Sequence, residues 1–355
     1  MTNSEPNAFT IASVKLFQYV LPFKTPLVVG TQRLTHRHGL IIEVTDTAGN
    51  RGYGETAPLP GYSQETLAKA LLQLHQLARQ LTGKRMSLAQ FPSHCRAFYP
   101  SVVFGMETAF FNIEKPACPL KQVTVNGLFF PDPQKPEAQV AELLAKGFTT
   151  IKIKVARQSL AAEISMIKKV SALLPAHIKL RLDANRLWDL KSAITFGLGI
   201  QGTAIEYIEE PCQDSAQFQD FYRATGLPVA LDESLIHMTQ QSPIFPQGVV
   251  ALILKPTRLG GIRRTCKFIE IARQSGLKPV ISACFEAGPG FAQLVHIAAA
   301  INFADSASGL DTMKYFAQDL FVHPLTIAHG AIHGLQNHGS SDSDAWRTDF
   351  LTAIP

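Results

Sequence analysis

The sequence predicts an α/β fold, a (β/α)8-type barrel that follows an α+β unit of about 115 residues. Two observations carry this prediction. The first part of the chain has β-rich segments followed by helical segments, without alternation. From about residue 123 to residue 310, eight β-rich segments alternate with mostly helical connectors, which favours a barrel over an open doubly wound sheet.

Composition indicates a globular protein that handles small molecules. The chain has 355 residues, of which 46% are hydrophobic and 17% are charged, and this length can bury a large core. The net charge of +5 comes from scattered basic residues rather than from a basic run with aromatics. A mildly basic surface suited to anionic metabolites is therefore favoured over nucleic-acid binding. No pattern in the sequence sets an oligomeric state.

Cysteine usage and hydropathy predict a cytoplasmic location. The five cysteines are odd in number and lack the CxxC spacing of metal sites, which disfavours a disulfide framework and favours a reducing compartment. The segment Met1–Pro6 is polar and has no apolar signal core. No apolar run approaches the ~20 residues that a membrane span needs, so we expect no membrane partner.

The first unit is predicted as a β-meander followed by two helices. The β-rich segments are residues 11–20, 39–45 and 52–55. The first helix is predicted to begin at Ser63 as an N-cap, with Glu65 in the first turn, where the helix dipole favours a negative charge. It carries a leucine face and should stop at Gly83. A second helix is predicted from Ser101 to Glu114.

The second unit alternates strands with helices. Its predicted strands are residues 123–126, 150–155, 179–183, 204–209, 229–232, 249–255, 279–283 and, more weakly, 307–310. Helices are predicted between them, the clearest at residues 136–146, 160–174 and 187–196. The tail after about residue 317 has no clear βα unit, and we expect it to pack back on the first unit.

One literal motif is set aside. Residues 197–202, Gly-Leu-Gly-Ile-Gln-Gly, match the GxGxxG dinucleotide pattern. That pattern must follow a strand and open a helix, whereas this segment follows a predicted helix and precedes a predicted strand. A flexible loop is therefore the favoured interpretation, and no dinucleotide is expected.

Ionisable residues close five successive predicted strands. They are Lys154, Asp183, Glu209, Asp232 and Lys255, separated by 29, 26, 23 and 23 residues. Each step is close to one βα unit of about 30 residues, and the carboxyl ends of barrel strands meet at one mouth, so these side chains should converge there. A single acid after a strand is often the N-cap of the next helix, and a single lysine is usually a solvated charge. Five in succession, two of them cations, disfavour that explanation.

The chemistry of the set indicates a metal-dependent acid–base site. Asp183, Glu209 and Asp232 supply three hard oxygen ligands with no neighbouring His or Cys, which suits Mg²⁺, with Mn²⁺ as the alternative. The two flanking lysines can act as acid or base. An ammonium group beside a divalent cation in a partly closed site has a lowered pKa, which brings it toward a useful range.

Lys152 and Arg181 are auxiliary candidates. Each lies two residues before a strand-end residue and so shares its face of the strand. A second cation at Lys152 would lower the pKa of Lys154 further, and Arg181 would point into the same space. The alternative for both is an ion pair in the barrel interior with neighbouring carboxylates, and the residues alone leave the two interpretations open.

Several short motifs occur in one order along the chain. They are Lys152-Ile153-Lys154, Leu182-Asp183-Ala184-Asn185, Ile208-Glu209-Glu210-Pro211, Leu231-Asp232-Glu233-Ser234 and Leu254-Lys255-Pro256. In that order they resemble the enolase superfamily, in its muconate-lactonising subgroup. The resemblance covers nearly the whole chain and implies a (β/α)7β barrel under an α+β capping domain built from both termini. The implied boundaries are residues 1–118 for the N-terminal part of the cap, 119–316 for the barrel and 317–355 for a C-terminal segment that packs back on the cap.

The resemblance also implies roles for individual residues. The implied metal ligands are Asp183, Glu209 and Asp232. The superfamily pairs a Lys or His base with Mg²⁺ at an enediolate; here Lys154 would be the base and Lys255 would stabilise the enediolate across the substrate. Lys152 would tune Lys154. Glu233 would support the ligands from behind, and Arg181 would lie beside the substrate. Asn185 is expected either to support the site from behind or to be a loop residue.

A closer resemblance, to a dehydrating branch of the subgroup, rests on Arg181 and on residues 52–63, 100–105, 208–212 and 309–312. It implies a Mg²⁺-dependent lyase of menaquinone biosynthesis that acts on a small carboxylate. Lys154 would remove the proton α to the carboxylate and return it to the departing hydroxyl, so that water leaves and an aromatic ring forms.

The same branch implies where the substrate is held. Capping loops around Phe23–Pro26 and Pro58–Tyr62 would close over it. Members often carry a Ser-rich seventh strand, whereas this chain has a single serine in the segment Ser282–Glu286. The resemblance implies a substrate that also carries a succinyl group. Ser282 and the backbone near Gly288 are the candidates for contacting the carboxylate of that group.

Two other functions stay open at this point. The same half-reaction could end in racemisation of an N-acylamino acid, with Lys154 and Lys255 on opposite faces of the substrate. A non-catalytic metal- or metabolite-binding protein is the third hypothesis. The presence of both lysines argues against that last one.

Overall fold

The computed structural model of the chain describes residues 8–91, 97–114, 122–129, 136–238, 243–301, 306–333 and 346–354. Its strands are β1 (Phe9–Val29), β2 (Gln32–Asp46), β3 (Arg51–Thr56), β4 (Arg85–Met86), β5 (Val123–Thr124), β6 (Gly127–Phe129), β7 (Thr150–Lys154), β8 (Lys179–Asp183), β9 (Ile205–Glu209), β10 (Val229–Leu231), β11 (Val249–Leu254), β12 (Lys278–Ile281), β13 (Ile327–Ala328), β14 (Ala331–Ile332) and β15 (Leu351–Ile354). Its α-helices are α1 (Leu67–Leu81), α2 (Pro100–Glu114), α3 (Pro136–Ala145), α4 (Leu160–Leu173), α5 (Leu190–Gly199), α6 (Phe218–Thr225), α7 (Pro256–Leu259), α8 (Ile262–Gln274) and α9 (Gly288–Ile301). Short 3-10 turns lie at Ser215–Gln217, Glu233–His237, Met313–Tyr315 and Thr348–Phe350.

An antiparallel sheet and two helices form the capping domain. The strands follow the order β15-β1-β2-β3, and β4 also pairs with β1. Helices α1 and α2 bury their apolar faces against this sheet, in a core separate from that of the barrel. This core includes Ile42, Val44, Leu74, Leu77 and Phe110. The predicted α+β cap is therefore confirmed.

The predicted start of the first helix at Ser63 is wrong. The N-cap is Thr66, whose side-chain oxygen accepts the Lys69 N–H at 3.3 Å. The Ser63 hydroxyl instead accepts the Leu59 N–H at 2.8 Å, which stabilises a turn before the helix. Glu65 accepts the Ser101 N–H at 3.0 Å and so joins the first helix to the second. Local capping chemistry allowed both starts, and a tertiary contact decided between them.

The barrel is built on a seven-stranded parallel sheet. Its order, β12-β11-β10-β9-β8-β7-β6, is the reverse of the order of these strands in the chain. Helical connectors cover the outside, and the outward side chains of the strands join the main core. In β7 and β8 these are Ile151, Ile153, Leu180 and Leu182. The alternate residues face the interior, which sets Lys152, Lys154, Arg181 and Asp183 on the inner face.

The first predicted barrel strand, at residues 123–126, is displaced in the structure. Val123–Thr124 pair antiparallel with Ala331–Ile332, outside the parallel sheet. Gly127–Phe129 take the edge of that sheet, beside β7. Both segments are β-rich, and the choice depends on a partner more than 200 residues away, which a local pattern does not reveal.

The two ends of the described chain meet in the capping sheet. Strand β15 pairs antiparallel with β1, with Leu16 opposite Ile354. Trp346 packs on the ring of Tyr53, 4.9 Å between centroids. The predicted boundary between residues 118 and 119 lies outside the described residues, so the domain limits stay predictions. Within the described part of the chain, no helix combines the length and apolarity that crossing a bilayer requires.

Candidate active site

The five strand-end residues are gathered at one mouth of the barrel. Lys154 stands opposite Asp183 in the β7–β8 ladder, and Asp183 stands opposite Glu209 in the β8–β9 ladder. Asp232 and Lys255 directly follow β10 and β11. One carboxylate oxygen from each of the three acids lies within 4.8 Å of those from the other two, and all three acids are buried. The convergence expected from the spacing is therefore present.

Two lysines are bonded to opposite members of the acidic triad. The Lys154 ammonium donates to Asp183 Oδ2 at 2.6 Å, and the Lys255 ammonium donates to Asp232. Lys152, one layer deeper on β7, bridges Asp183 and Glu209 at 2.9 and 2.5 Å. Each of the three ammonium groups therefore bonds at least one acid of the triad, and each acid is bonded by at least one lysine.

Burial and charge push the pKa values of these two lysines in opposite directions. Burial lowers the pKa of Lys154, and the cations of Lys152 and Lys255 lower it further against the opposing effect of Asp183. For Lys255, burial acts in the same sense, but the Asp232 carboxylate outweighs it and raises the pKa well above the usual value. Lys154 is thus the group predisposed to lose a proton, and Lys255 the one predisposed to stay charged.

The acidic triad fits a divalent cation. Burial, together with the neighbouring carboxylates of Asp183 and Asp232, raises the pKa of Glu209, which is the sign of like charges crowded in a space of low dielectric. A divalent cation would relieve this repulsion, and carboxylate oxygens are the donors that hard cations such as Mg²⁺ prefer. Among the described residues, this is the one cluster of at least three His, Cys, Asp or Glu side chains that meets the geometry of a metal site.

The backbone is strained where it presents these residues. Six described non-glycine residues have positive φ, and four follow the site strands within three positions of Lys154, Asp183 or Glu209. These four are Ala156, Asn185, Arg186 and Glu210, with φ between 44° and 64°. Left-handed conformations cost L-residues energy and persist where surrounding contacts enforce them, typically at functional sites.

Glu210 supports the triad, and the sequence did not single it out. Its buried carboxylate accepts the Asp232 N–H at 2.7 Å, and the Ser234 N–H and hydroxyl at 2.9 and 2.7 Å. Its φ of 44° is left-handed, so the extended alternation of β9 ends at Glu209. The signal in the sequence is the adjacent pair Glu209-Glu210, but the pair alone does not reveal what its second member contacts.

Asn185 links Lys154, Asp183 and Glu233 through hydrogen bonds. Asn185 accepts a hydrogen bond from the Lys154 ammonium at 2.9 Å through its side-chain oxygen. Its amide nitrogen donates to Glu233 at 3.2 Å. The Asn185 N–H also donates to Asp183 Oδ1 at 3.0 Å. These contacts orient the Lys154 ammonium and the Asp183 carboxylate.

Arg181 lies inside the barrel, one layer below the mouth. Its guanidinium pairs with Glu206 at 2.6 Å, donates to the Ala307 carbonyl at 2.7 Å and lies over the Tyr207 ring at 4.9 Å. A register shift between β8 and β9 turns Glu206 inward, and Lys278 bonds the same carboxylate. The ion-pair alternative therefore fits Arg181, and its expected position beside the substrate is not what the described contacts give. The shared strand face was right, but it did not set the depth.

The two residues predicted to contact the substrate, Ser282 and Gly288, are both buried. Ser282 is 6% exposed and bridges Gly309. The Gly288 N–H, at the first residue of α9, donates to Asp319 at 3.2 Å. A role for either toward a carboxylate stays a prediction.

Both segments predicted as capping loops contact the barrel, but the first, Phe23–Pro26, is not a loop: it lies within β1, at an irregularity in the pairing of that strand with β2. The Phe23 ring packs edge-on against Phe285 at 6.0 Å. The Tyr62 hydroxyl accepts a hydrogen bond from the Lys255 ammonium at 2.7 Å. Tyr62 is a site residue that the sequence named only as the end of a loop.

Comparisons with known proteins agree with this geometry. The family model described as "Enolase C-terminal domain-like" matches residues 135–341, and that described as "MenC, N-terminal domain" matches residues 11–113. The o-succinylbenzoate synthase of Yersinia enterocolitica is 32% identical over 303 residues, which cover 84% of this chain and 90% of that protein. The o-succinylbenzoate synthase of Aliivibrio fischeri strain MJ11 is 32% identical over 87% of this chain and 92% of its own length.

Solved structures show the same fold. A muconate lactonizing enzyme from Pseudomonas fluorescens superposes with a TM-score of 0.82, at 17% identity, over 97% of this chain and 100% of its own. The L-Ala-D/L-Glu epimerase from Bacillus subtilis gives a TM-score of 0.80, at 22% identity, over 94% and 99%. The barrel with its cap, the carboxylate triad between two lysines and the two family models lead to one assignment. The chain belongs to the o-succinylbenzoate synthase family of the enolase superfamily.

Proposed function

We propose that this protein dehydrates 2-succinyl-6-hydroxy-2,4-cyclohexadiene-1-carboxylate to o-succinylbenzoate, a step of menaquinone biosynthesis. The observation that carries the proposal is the placement of Lys154 and Lys255 on different members of one buried carboxylate triad. The C–H group α to a carboxylate is a weak acid. Removal of its proton therefore needs a neutral base on one side and fixed positive charge where the dianion develops.

The lysines divide this work. Neutral Lys154 takes the proton from the ring carbon that bears the carboxylate, and the enediolate forms. Lys255 stays protonated and stabilises the new negative charge. The Lys154 ammonium then gives its proton to the hydroxyl on the neighbouring ring carbon, the carbon–oxygen bond breaks and water leaves. The ring becomes aromatic, and Lys154 is neutral again.

A metal would be held by Asp183, Glu209 and Asp232, and we propose Mg²⁺. When bound, it supplies positive charge for the substrate carboxylate as the enediolate forms. Lys152 supports the site from below, because it bridges two of the three acids and adds a cation that lowers the pKa of Lys154.

We also propose that the barrel has the (β/α)7β form. Residues 307–310 would supply the eighth strand, since Ser308 bridges Val125 and Gly309 bridges Ser282, both in parallel. The Gly309 N–H donates to the Ile281 carbonyl at 2.7 Å, and the Asn126 N–H donates to the Ser308 carbonyl at 2.9 Å. These bonds support a closed ring.

Turnover of the cyclohexadiene substrate tests the proposed function. Purified protein with Mg²⁺ is given the substrate, and the ultraviolet absorbance of the aromatic product is followed. We expect turnover that is lost on chelation and restored by added Mg²⁺. Lys154→Ala should lower kcat by about 10²- to 10⁴-fold, the usual contribution of a positioned base.

A matched variant separates chemistry from folding. Lys168→Ala removes a lysine on the outer helix α4 and should leave kcat unchanged. Absence of turnover in the unaltered protein, or turnover that survives Lys154→Ala, would refute the proposal. Exchange of the α-proton of N-succinyl amino acids in heavy water, without dehydration, would assign the site to the racemase alternative.

A further inference from the structure

A buried arginine joins the cap to the barrel beside the active site. Arg37, on β2, is 1% exposed. The five hydrogen bonds that its guanidinium makes within the described residues all go to backbone carbonyls. A buried guanidinium is costly unless its N–H groups are satisfied, so this arrangement fixes the segments that supply the carbonyls.

Four of the five carbonyls belong to two segments outside β2, Ala57–Pro58 after β3 and Cys284–Phe285 after β12, and the fifth is that of the adjacent His38. Arg37 donates to Ala57 and, at 2.8 Å, to Pro58, where the capping loop leaves β3. Its Nε donates at 2.8 Å to Phe285, in the loop that follows β12 and Ser282. Phe285 has a φ of 60°, a conformation that needs external contacts to persist in a residue with a bulky side chain.

The capping loop transmits this anchor to Lys255. The Leu59 carbonyl accepts the Tyr62 and Ser63 N–H groups at 3.1 and 2.8 Å, so the loop is a compact turn. Tyr62 then reaches Lys255 with its hydroxyl at 2.7 Å, and its ring is stacked on the Arg258 guanidinium at 3.7 Å. A shift at Pro58 therefore moves the acceptor of the Lys255 ammonium.

Lys255 needs such an acceptor. An ammonium on a four-carbon stem has three donors and no preferred direction, and its position depends on what surrounds it. Here it bonds Asp232, a member of the triad, and Tyr62, which belongs to the cap. Tyr62 is thus the contact to Lys255 that does not depend on the state of the triad.

We propose that Arg37 is a positioning residue for the reaction. It fixes the Ala57–Tyr62 loop against the loop after β12, and through the Tyr62 hydroxyl it fixes the Lys255 ammonium beside the substrate. The expected effect on kcat rests on the proposed function. The expected effect on the order of the Ala57–Tyr62 loop rests on the geometry alone.

Arg263, whose side chain is exposed, offers a control for the loss of an arginine connection between cap and barrel. It also crosses from the barrel to the cap, from α8 to the carbonyls of Leu88 and Ala89. None of its hydrogen bonds to the described residues reaches the Ala57–Tyr62 loop. Arg263→Met therefore removes an arginine–carbonyl connection between the domains without disturbing the loop that carries Tyr62.

Steady-state kinetics on Arg37→Met, Tyr62→Phe, the double variant and Arg263→Met test the proposal. We expect Arg37→Met to lower kcat by about tenfold to a hundredfold with a smaller change in KM, since a misplaced Lys255 weakens transition-state stabilisation. The double variant should lose no more than Arg37→Met alone, because both changes act on one chain of contacts. Arg263→Met should keep the kcat of the unaltered protein. Additive losses in the double variant would overturn the route through Tyr62.

Hydrogen exchange supplies a measurement that needs no turnover. The Tyr62 and Ser63 amides should exchange at least about tenfold faster in Arg37→Met, and at the original rate in Arg263→Met. Equal exchange in the two variants would overturn the positioning role, whatever the enzyme's activity. If Arg37→Met fails to fold, Arg37→Lys replaces it, since lysine keeps the charge but not the fork and should show the same direction of change. If the unaltered protein gives no turnover, the proposed function fails. The exchange comparison still tests whether Arg37 fixes the Ala57–Tyr62 loop.

Discussion

Replacing Glu210 with alanine would remove three hydrogen bonds without touching a proposed metal ligand. The carboxylate accepts the Asp232 N–H, the Ser234 N–H and the Ser234 hydroxyl, at 2.7, 2.9 and 2.7 Å. Glu210 is 0% and Asp232 5% exposed, so the Asp232 N–H would be left buried without an acceptor. An orphaned buried donor costs about 1–3 kcal/mol, so the Asp232 N–H alone gives a loss of about 1–3 kcal/mol in unfolding free energy, since Ser234 is partly exposed and its N–H and hydroxyl can turn to water.

The same change should weaken metal binding. Residues that orient metal ligands from behind typically contribute about 10- to 100-fold to affinity, equivalent to about 1.4–2.8 kcal/mol. We therefore expect Glu210→Ala to raise the Kd for Mg²⁺ by that factor in isothermal titration calorimetry. Glu210→Gln should bind nearly as the unaltered protein does, because the amide oxygen can still accept both backbone N–H groups.

Glu107→Ala is the matched control. Glu107 is equally buried and accepts the Arg263 N–H at 3.1 Å, at the junction of cap and barrel. Its loss should lower stability and leave the Kd for Mg²⁺ unchanged. A Glu210→Ala protein with unchanged metal affinity would refute the view that Glu210 orients Asp232. Equal losses in the Ala and Gln variants would show that the charge matters and the hydrogen bonds do not.

Three other predictions follow from the electrostatics. Lys154 must be neutral to act as a base, so kcat/KM should rise with pH through a pKa below 10.5. Lys152→Met removes a neighbouring cation and should move that rise to higher pH, and an unmoved midpoint would contradict the tuning role. Burial raises the pKa of Glu55 to about 8, so the native state keeps a proton that the unfolded state releases near pH 4.3. The contribution of Glu55 to stability is therefore complete below that pH and declines by about 1.4 kcal/mol per pH unit until about pH 8. Urea denaturation from pH 5 to 8 should show a flatter decline in Glu55→Gln, and parallel curves would contradict the shift. Mg²⁺ at about 100 times its Kd should stabilise the protein by about 2.7 kcal/mol and raise Tm. Asp232→Asn should abolish that rise, and an equal rise in the variant would place the metal elsewhere.

The convergence of the five strand-end residues could be predicted because a repeating unit carries them. Each βα unit returns the chain to the same mouth, so residues as far apart as Lys154 and Lys255 are placed together by counting strands. The alternation of side chains also set Lys152 and Arg181 on the inner face correctly. It could not set their depth, because the partner of Arg181 is Glu206, and a register shift brings that residue inward.

The supporting contacts could not be predicted, because they cross between elements with no fixed spacing. Arg37 and Phe285 are 248 residues apart, and Tyr62 and Lys255 are 193 apart. The role of Glu210 depends on a left-handed backbone that its side chain does not favour and its neighbours enforce. The position of the first barrel strand depended in the same way on β14, far along the chain.

The pairing of β1 with β15 has a consequence for how the protein is made. The ribosome releases β1 first and β15 only after every strand of the barrel, since Leu16 must wait for Ile354. Until then the β15-facing edge of β1 at Leu16–Tyr19 offers unpaired backbone groups to any other nascent chain. Domains tend to fold from the N-terminal end during synthesis, but this cap is completed last, after the barrel that it covers. We therefore expect deletion of residues 351–354 to increase aggregation during expression more than it lowers the activity of the folded protein.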